Sequence, residues 1–250
     1  MQKRRLFFSS AVLLLTLLSI EGDVAGNENS HAEKRRRMVD EQLRGRDIHD
    51  PRVLEAMSVV PRHLFVPSLY RDHSYKDQPL PIAEGQTISQ PYIVAFMTQA
   101  LNIRAGEKVL EVGTGSGYQA AVLAHLTGAV YSIEINQKLA ALARRTLDEL
   151  GYGGVHLKTG DGYRGWEEHA PFDAVIITCA AERIPPPLLQ QLGEGGRMIL
   201  PLKHGAFSEK LTLITKRNGK TESLVLMDVR FVPMTGEVKI KKDGTPPLGD

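Results

Sequence analysis

Three glycines on alternate positions, Gly113, Gly115 and Gly117, follow the apolar stretch Val109-Leu110-Glu111-Val112 and lead into a helical pattern at Tyr118. β-Formers, a tight turn and a helix in that order expose backbone N–H groups where a ligand can lie against bare chain. Beyond them, Val130-Tyr-Ser-Ile-Glu134 reads as a second strand ending in a carboxylate. An acid at that distance can accept hydrogen bonds from both hydroxyls of a ribose. The pair points to a cofactor that contains a nucleoside. The dinucleotide fingerprint would need a third glycine where the helix packs on the strand, and Tyr118 stands there instead. Glu111, a second acid beside the turn, suits a cationic or amine-bearing ligand better than a pyrophosphate.

These residues need strands and helices to hold them. Alternation predicts strands at Val109–Val112, Val130–Glu134, Val155–Thr159, Ala174–Thr178 and Arg197–Pro201, with helices at Tyr118–Leu126, Gln137–Leu150 and Pro186–Leu192 between them. Such alternation implies an α/β fold: a doubly wound, parallel Rossmann-like sheet with helices on both faces and ligands at the carboxyl ends of its strands. Residues 32 to 60 carry helical spacing, with Asp50 capping a second helix that starts at Pro51. Ile93 to Leu101 reads as a further helix. The segment from Pro61 to Pro91 is irregular and polar, and a long loop in a compact domain is usually functional. Lys210–Lys216 and Glu222–Phe231 flank Asn218-Gly219, a strong hairpin signal.

Composition narrows the function. A chain of 250 residues buries one good core and at most a small added lobe. Its net charge of +2 gives no electrostatic case for nucleic acid, and the Lys34-Arg-Arg-Arg37 run reads as a solvated helix face. The single cysteine, Cys179, excludes an intramolecular disulfide and a cysteine metal cluster, and is expected as a buried thiol. The eight histidines show no metal-ligand spacing, so no metal is assigned. The N-terminus differs in character: Lys3-Arg-Arg5, an apolar run from Leu6 to Ile20 and the small residues Val24-Ala25-Gly26 have the order of a secretory signal. Residues 1–26 are therefore set apart as a signal-like or anchor segment. A single domain over 32–240 divides into helices and a substrate loop (32–104), a Rossmann-like core (105–203) and C-terminal strands (208–240).

Four further stretches carry a resemblance. They are Val60-Pro-Arg-His-Leu-Phe-Val-Pro67, Pro79-Leu-Pro-Ile-Ala-Glu-Gly-Gln-Thr-Ile-Ser-Gln-Pro-Tyr92, Gly160-Asp-Gly162 and Arg230-Phe-Val-Pro-Met-Thr235. With Glu111-Val-Gly-Thr-Gly-Ser-Gly117 resembling motif I of S-adenosylmethionine-dependent methyltransferases, the chain from about residue 34 to 238 resembles the protein-L-isoaspartate O-methyltransferases. Typical members lack the N-terminal 30 residues. The resemblance implies transfer of a methyl group from S-adenosyl-L-methionine to the free α-carboxyl of L-isoaspartyl residues in damaged proteins and peptides. It implies Ser89 at the chemistry and Gln86, Thr87, Ile88 and Thr235 on the substrate side. Cofactor contacts would come from Glu111, Gly113, Gly115, Gly117, Glu134 and the pair Asp161-Gly162, the last at the adenine edge. A monomer is expected. Family and cofactor supply imply the cytoplasm, against which the N-terminal signal-like run argues for export or attachment. A methyltransferase with another acceptor, a non-catalytic binder of damaged protein and, more weakly, an NAD-linked dehydrogenase are the alternatives.

Overall fold

A computed structural model describes residues 29–205 and 208–237; the signal-like segment and the tail beyond lie outside the described residues. Among the described residues no helix is long and apolar enough to cross a membrane. Helix α1 covers 29–37 and widens into a π-turn at Met38–Arg44, which buries Met38, Val39 and Leu43. The basic run on α1 is less solvated than expected: Lys34 pairs with Asp72 at 3.0 Å, and Arg35 Nε donates to the Ser58 carbonyl at 2.6 Å. Helix α2 (Pro51–Val59) starts as the residue types require. Proline holds its first position, and the Asp50 carboxylate accepts from the Arg52 N–H at 2.9 Å.

The Pro61–Pro91 segment is more ordered than its composition suggests. Three short 3-10 turns punctuate it, and a two-residue hairpin, β1 (Leu80–Pro81) with β2 (Thr87–Ile88), closes in register Leu80↔Ile88. Glu84 and Gly85 at the hairpin tip take left-handed φ of 57° and 67°. Lys138 and Asn136 reach Glu84 there at 3.3 and 3.4 Å. Proline again opens α3 (Pro91–Leu101), which ends at left-handed Asn102.

The sheet has seven strands in the order β5-β4-β3-β6-β7-β8-β9. Five are parallel: β3 (Lys108–Val112), β4 (Ala129–Glu134), β5 (His156–Thr159), β6 (Phe172–Ile177) and β7 (Leu192–His204). Helices α4 (Tyr118–Leu126), α5 (Gln137–Glu149) and α6 (Pro186–Gln191) complete the crossovers. The antiparallel pair β8 (Ser208–Arg217) and β9 (Lys220–Val229) extends the same sheet. Asn218 and Gly219 between them have φ of 52° and 71°, the positive pair that a tight I′ hairpin needs. Alternate residues of the central strands feed two cores: Val109, Ala174 and Ile199 face α1–α4, while Leu110, Val175 and Met198 pack with Leu188 and Leu192. Arg197 on β7 caps the end of α3 by donating to the Leu101 and Asn102 carbonyls, both at 2.8 Å, and pairs with Glu107 at 2.7 Å. Strand β7 starts five residues before its predicted bound, at Leu192 rather than Arg197. Glycines 193, 195 and 196 hide its pattern, although Leu192 already pairs with Phe172 across a bulge.

Candidate active site

In chain order the sheet grows from β3 outward to β5 and then restarts at β6 on the other side of β3. The connections leaving β3 and β6 therefore part in opposite directions and leave a crevice at their carboxyl ends. A cavity of about 240 Å³ occupies it. Thr178, just past β6, stitches the crevice floor: its N–H donates to the Val112 carbonyl at 3.0 Å and its hydroxyl to the Gly113 carbonyl at 2.7 Å. The glycine turn forms one wall. Gly113 has φ of 97°, and a Cβ built there would stand 2.6 Å from Thr178 Oγ1. Only glycine fits both constraints.

Glu134 ends β4 beside that turn and makes the second wall, 6 % exposed. Its carboxylate accepts from the Gly115 N–H at 2.8 Å and from the Asn136 N–H at 3.0 Å, so one side chain ties the glycine turn to the start of α5. Asn136 in turn caps α5 by accepting from the Lys138 and Leu139 N–H groups. The third wall is β2 and its flank, with Gln86, Thr87, Ile88 and Ser89 all lining the cavity. The chain beyond β9 closes the fourth. Ala180 N–H donates to the Val232 carbonyl and Met234 N–H to the Ala180 carbonyl, both at 2.8 Å, which brings Thr235 to the rim. A second hollow of about 750 Å³ shares Thr87, Ser89 and Thr178 with the first and runs outward past Ile93 and Phe231.

Not every expected contact lines the cavity. Gly117 caps α4 at φ 88° and packs against α5, where a Cβ would meet Leu147 Cγ at 3.2 Å. Gly162 allows its turn to press on β3, since a Cβ there would meet Val112 Cγ1 at 2.4 Å. Both oxygens of Asp161 are engaged by backbone, Oδ1 by the Tyr163 N–H at 2.9 Å and Oδ2 by the Glu237 N–H at 2.8 Å. Asp161 thus ties the C-terminal segment to the Gly162–Arg164 turn. Cys179 is half-buried on the cavity wall, not a core thiol; burial pushes its pKa up to about 12, so it stays neutral.

Glu111 lies beneath the cavity. Strand β3 is central and buried on both faces, and Glu111 faces its register partner Ser132, whose hydroxyl donates to Glu111 Oε2 at 2.5 Å. Thr114 Oγ1, in the glycine turn, is 2.6 Å from the same Ser132 hydroxyl. Glu111 is fully buried, and Oε1 has no partner. Burial raises its pKa to about 8, the Ser132 hydrogen bond opposes the rise and the Glu134 charge adds to it. The folded chain then holds a proton that the unfolded chain releases above the ordinary glutamate range. Stability falls as pH rises from about 4.5 to about 8, by at most about 1.4 kcal/mol per pH unit, and levels off above. Glu111→Gln should flatten that slope in thermal melts from pH 5 to 8; an unchanged slope in the variant would show that Glu111 is already ionised.

Sequence reasoning left other cavity residues unassigned. Tyr118, Gln119 and Thr178 line it, the last two brought in by helix and strand packing. Position one residue past β6, at the strand beside the glycine turn, was the available signal for Thr178. Among the described residues no three His, Cys, Asp or Glu side chains converge as metal ligands.

The profile of the protein-L-isoaspartate(D-aspartate) O-methyltransferase (PCMT) family matches residues 33–239. A protein-L-isoaspartate O-methyltransferase of Opitutus terrae is 56% identical over 225 residues, 90% of this chain and 97% of the relative. Protein-L-isoaspartate O-methyltransferase 2 of an Anaeromyxobacter species is 53% identical over 231 residues, covering 90% and 95%. Among solved structures, a protein-L-isoaspartate O-methyltransferase superposes with a TM-score of 0.74 at 28% identity, covering 82% of this chain and 67% of its own. A protein-L-isoaspartate O-methyltransferase structure from Plasmodium falciparum, in complex with S-adenosyl-L-homocysteine, superposes with a TM-score of 0.70 at 26% identity, covering 82% and 98%. With most of its length matched by the profile and by relatives above half identity, the chain belongs to the protein-L-isoaspartate(D-aspartate) O-methyltransferase family.

Proposed function

We propose that the chain transfers a methyl group from S-adenosyl-L-methionine to the free α-carboxyl of L-isoaspartyl residues in damaged proteins and peptides. The resulting methyl ester closes to a succinimide, and hydrolysis returns part of it to ordinary aspartate. One observation carries the reading: Ser89 and Glu134 line one cavity at the sheet's switch point, and a second hollow opens outward from Ser89. The residues fit the cofactor. Bare backbone at Gly113 and Gly115 offers close approach to its amino-acid end, and Glu134 has the carboxylate for the ribose hydroxyls. Asp161 and Gly162 serve the adenine edge through the turn they build. When bound, S-adenosylmethionine supplies an electrophilic methyl on a sulfonium.

The protein's share is positional. A carboxylate is ionised at neutral pH, its ordinary pKa being about 4, so no general base is required. Ser89 donates a hydrogen bond to the acceptor carboxylate and fixes its line of attack, with Gln86, Thr87, Ile88 and Thr235 closing around it. Orientation in a water-poor site is worth up to about 7–11 kcal/mol of barrier. The outer hollow, with Ile93 and Phe231 on its walls, receives the chain on either side of the damaged residue. The protein acts as a monomer on such substrates.

The test is methyl transfer from labelled S-adenosylmethionine to two peptides that differ only in an isoaspartyl or aspartyl linkage. Base-labile label on the isoaspartyl peptide alone is expected. Ser89→Ala should lower kcat by about tenfold, the worth of one hydrogen bond to a charged group, with cofactor affinity unchanged. Cofactor binding without label on either peptide would point to a different acceptor.

A further inference from the structure

Arg62 opens the turn that follows Pro61 and is among the largest side chains with no exposed surface. Its Nε donates to the Ser74 carbonyl at 2.7 Å and its Nη2 to the Ser89 carbonyl at 2.6 Å. The guanidinium carbon lies 4.8 Å from the centroid of the Tyr118 ring, which also makes an edge-on contact with Phe65. Nη1 is buried with no hydrogen-bond partner. Burial lowers the guanidinium pKa to about 10, while Tyr118 and Tyr75 favour its charge, so it remains a cation at neutral pH.

A buried cation that leaves one nitrogen unpaired is a poor device for stability, because its desolvation is only partly offset. An apolar side chain of the same volume would fill the site at less cost. What the guanidinium does that no apolar group can is join three segments. Ser74 closes the second of the loop's 3-10 turns, Ser89 follows β2 on the cavity wall, and Tyr118 is the first residue of α4 after the glycine turn. The fork geometry lets one planar group reach two carbonyls and still cover a ring face.

We propose that Arg62 is the positioning residue for the acceptor side of the site, holding the Ser89 backbone at a fixed distance from the glycine turn so that the serine hydroxyl faces the cavity. The inference rests on the function proposed above and adds a residue that touches neither ligand. Arg62 acts through a carbonyl, so its loss moves Ser89 without removing any group that meets the cofactor. Lysine at 62 keeps the charge but lacks the rigid fork that spans the two carbonyls and covers the Tyr118 ring, and methionine has no donor for either carbonyl.

The test compares Arg62→Lys and Arg62→Met with the unaltered protein. The readouts are S-adenosylhomocysteine affinity by calorimetry, kcat and KM with the isoaspartyl peptide, melting temperature, and amide hydrogen exchange over residues 86–92 with S-adenosylhomocysteine bound. Affinity should stay within about threefold while kcat falls about 30-fold for methionine and less for lysine, inside the hundredfold range of a 1 Å misplacement. Exchange over 86–92 should quicken in both variants. Unchanged kcat and exchange would overturn the proposal, as would affinity, melting temperature and kcat falling together. Failure of both variants to fold would overturn it too, by making Arg62 a residue of the fold. If the unaltered protein methylates no isoaspartyl peptide, the acceptor assignment fails separately, and exchange over 86–92 alone decides the role of Arg62.

Discussion

Gly113→Ala is expected to reduce S-adenosylhomocysteine affinity by at least about 100-fold, or about 2.7 kcal/mol. Two costs combine at this position. A side chain at φ 97° is strained by about 1–3 kcal/mol, and the new Cβ would stand 2.6 Å from Thr178 Oγ1. That hydroxyl cannot simply swing away, because it donates to the Gly113 carbonyl and lies 3.1 Å from the Val112 carbonyl. The clash therefore pries apart the ends of β3 and β6, where the cavity floor is made. Gly115→Ala is the internal control: φ is 54°, within reach of alanine, and the nearest atom is Ile82 Cδ1 at 3.6 Å. It should lose about tenfold at most. Removing the offending hydroxyl with Thr178→Ala in the Gly113→Ala background should recover part of the affinity, a coupling that a double-mutant cycle measures directly. Binding of Gly113→Ala within threefold of the unaltered protein, by calorimetry, would show that the turn tolerates a side chain.

The same turn shows why some of the site was legible in the sequence and some was not. Motifs whose meaning is local survive reading: the Gly113–Gly117 turn and Glu134 closing the next strand both fall where spacing places them. Helix α4 keeps its predicted bounds for the same reason, with a left-handed glycine at one end and a β-region Thr127 at the other. Glu111 was harder. Period-two alternation cannot assign a face to a strand buried on both sides, so a carboxylate expected toward a ligand instead meets Ser132 in the core. Two-residue strands have no period at all, which hid the β1–β2 hairpin inside an apparently irregular loop. Arg62 was invisible for a different reason: its partners are carbonyls of Ser74 and Ser89, and backbone acceptors leave no mark on residue type. Thr178 and Gln119 enter only through the packing of β6 and α4 beside the turn.

Glu134→Ala should cost about 3 kcal/mol of cofactor binding, roughly a hundredfold in affinity, from hydrogen bonds to a charged acceptor worth about 1.5–3 kcal/mol each. The carboxylate has two duties in the structure. It already accepts from the Gly115 and Asn136 N–H groups, and it also faces the cavity. A carboxylate has about four acceptor sites, so two remain for ligand hydroxyls after the backbone is satisfied. Alanine removes both duties and frees the glycine turn from α5. Glutamine separates them: its single oxygen can keep one backbone N–H, but its amide nitrogen offers a donor where Oε1 or Oε2 accepted. Glu134→Gln should therefore lose about tenfold in affinity for S-adenosylhomocysteine. Adenosine alone and methionine alone give the decisive contrast. If Glu134 holds the ribose, Glu134→Gln, which can keep the Gly115 N–H, weakens adenosine binding by the larger factor and leaves methionine nearly untouched. If the residue acts only by anchoring Gly115, the loss falls on methionine, because the turn faces the amino-acid end. Isothermal titration of Glu134→Gln with the two half-ligands separates these outcomes, and equal losses on both in that variant would assign Glu134 to the fold of the turn rather than to either half of the ligand.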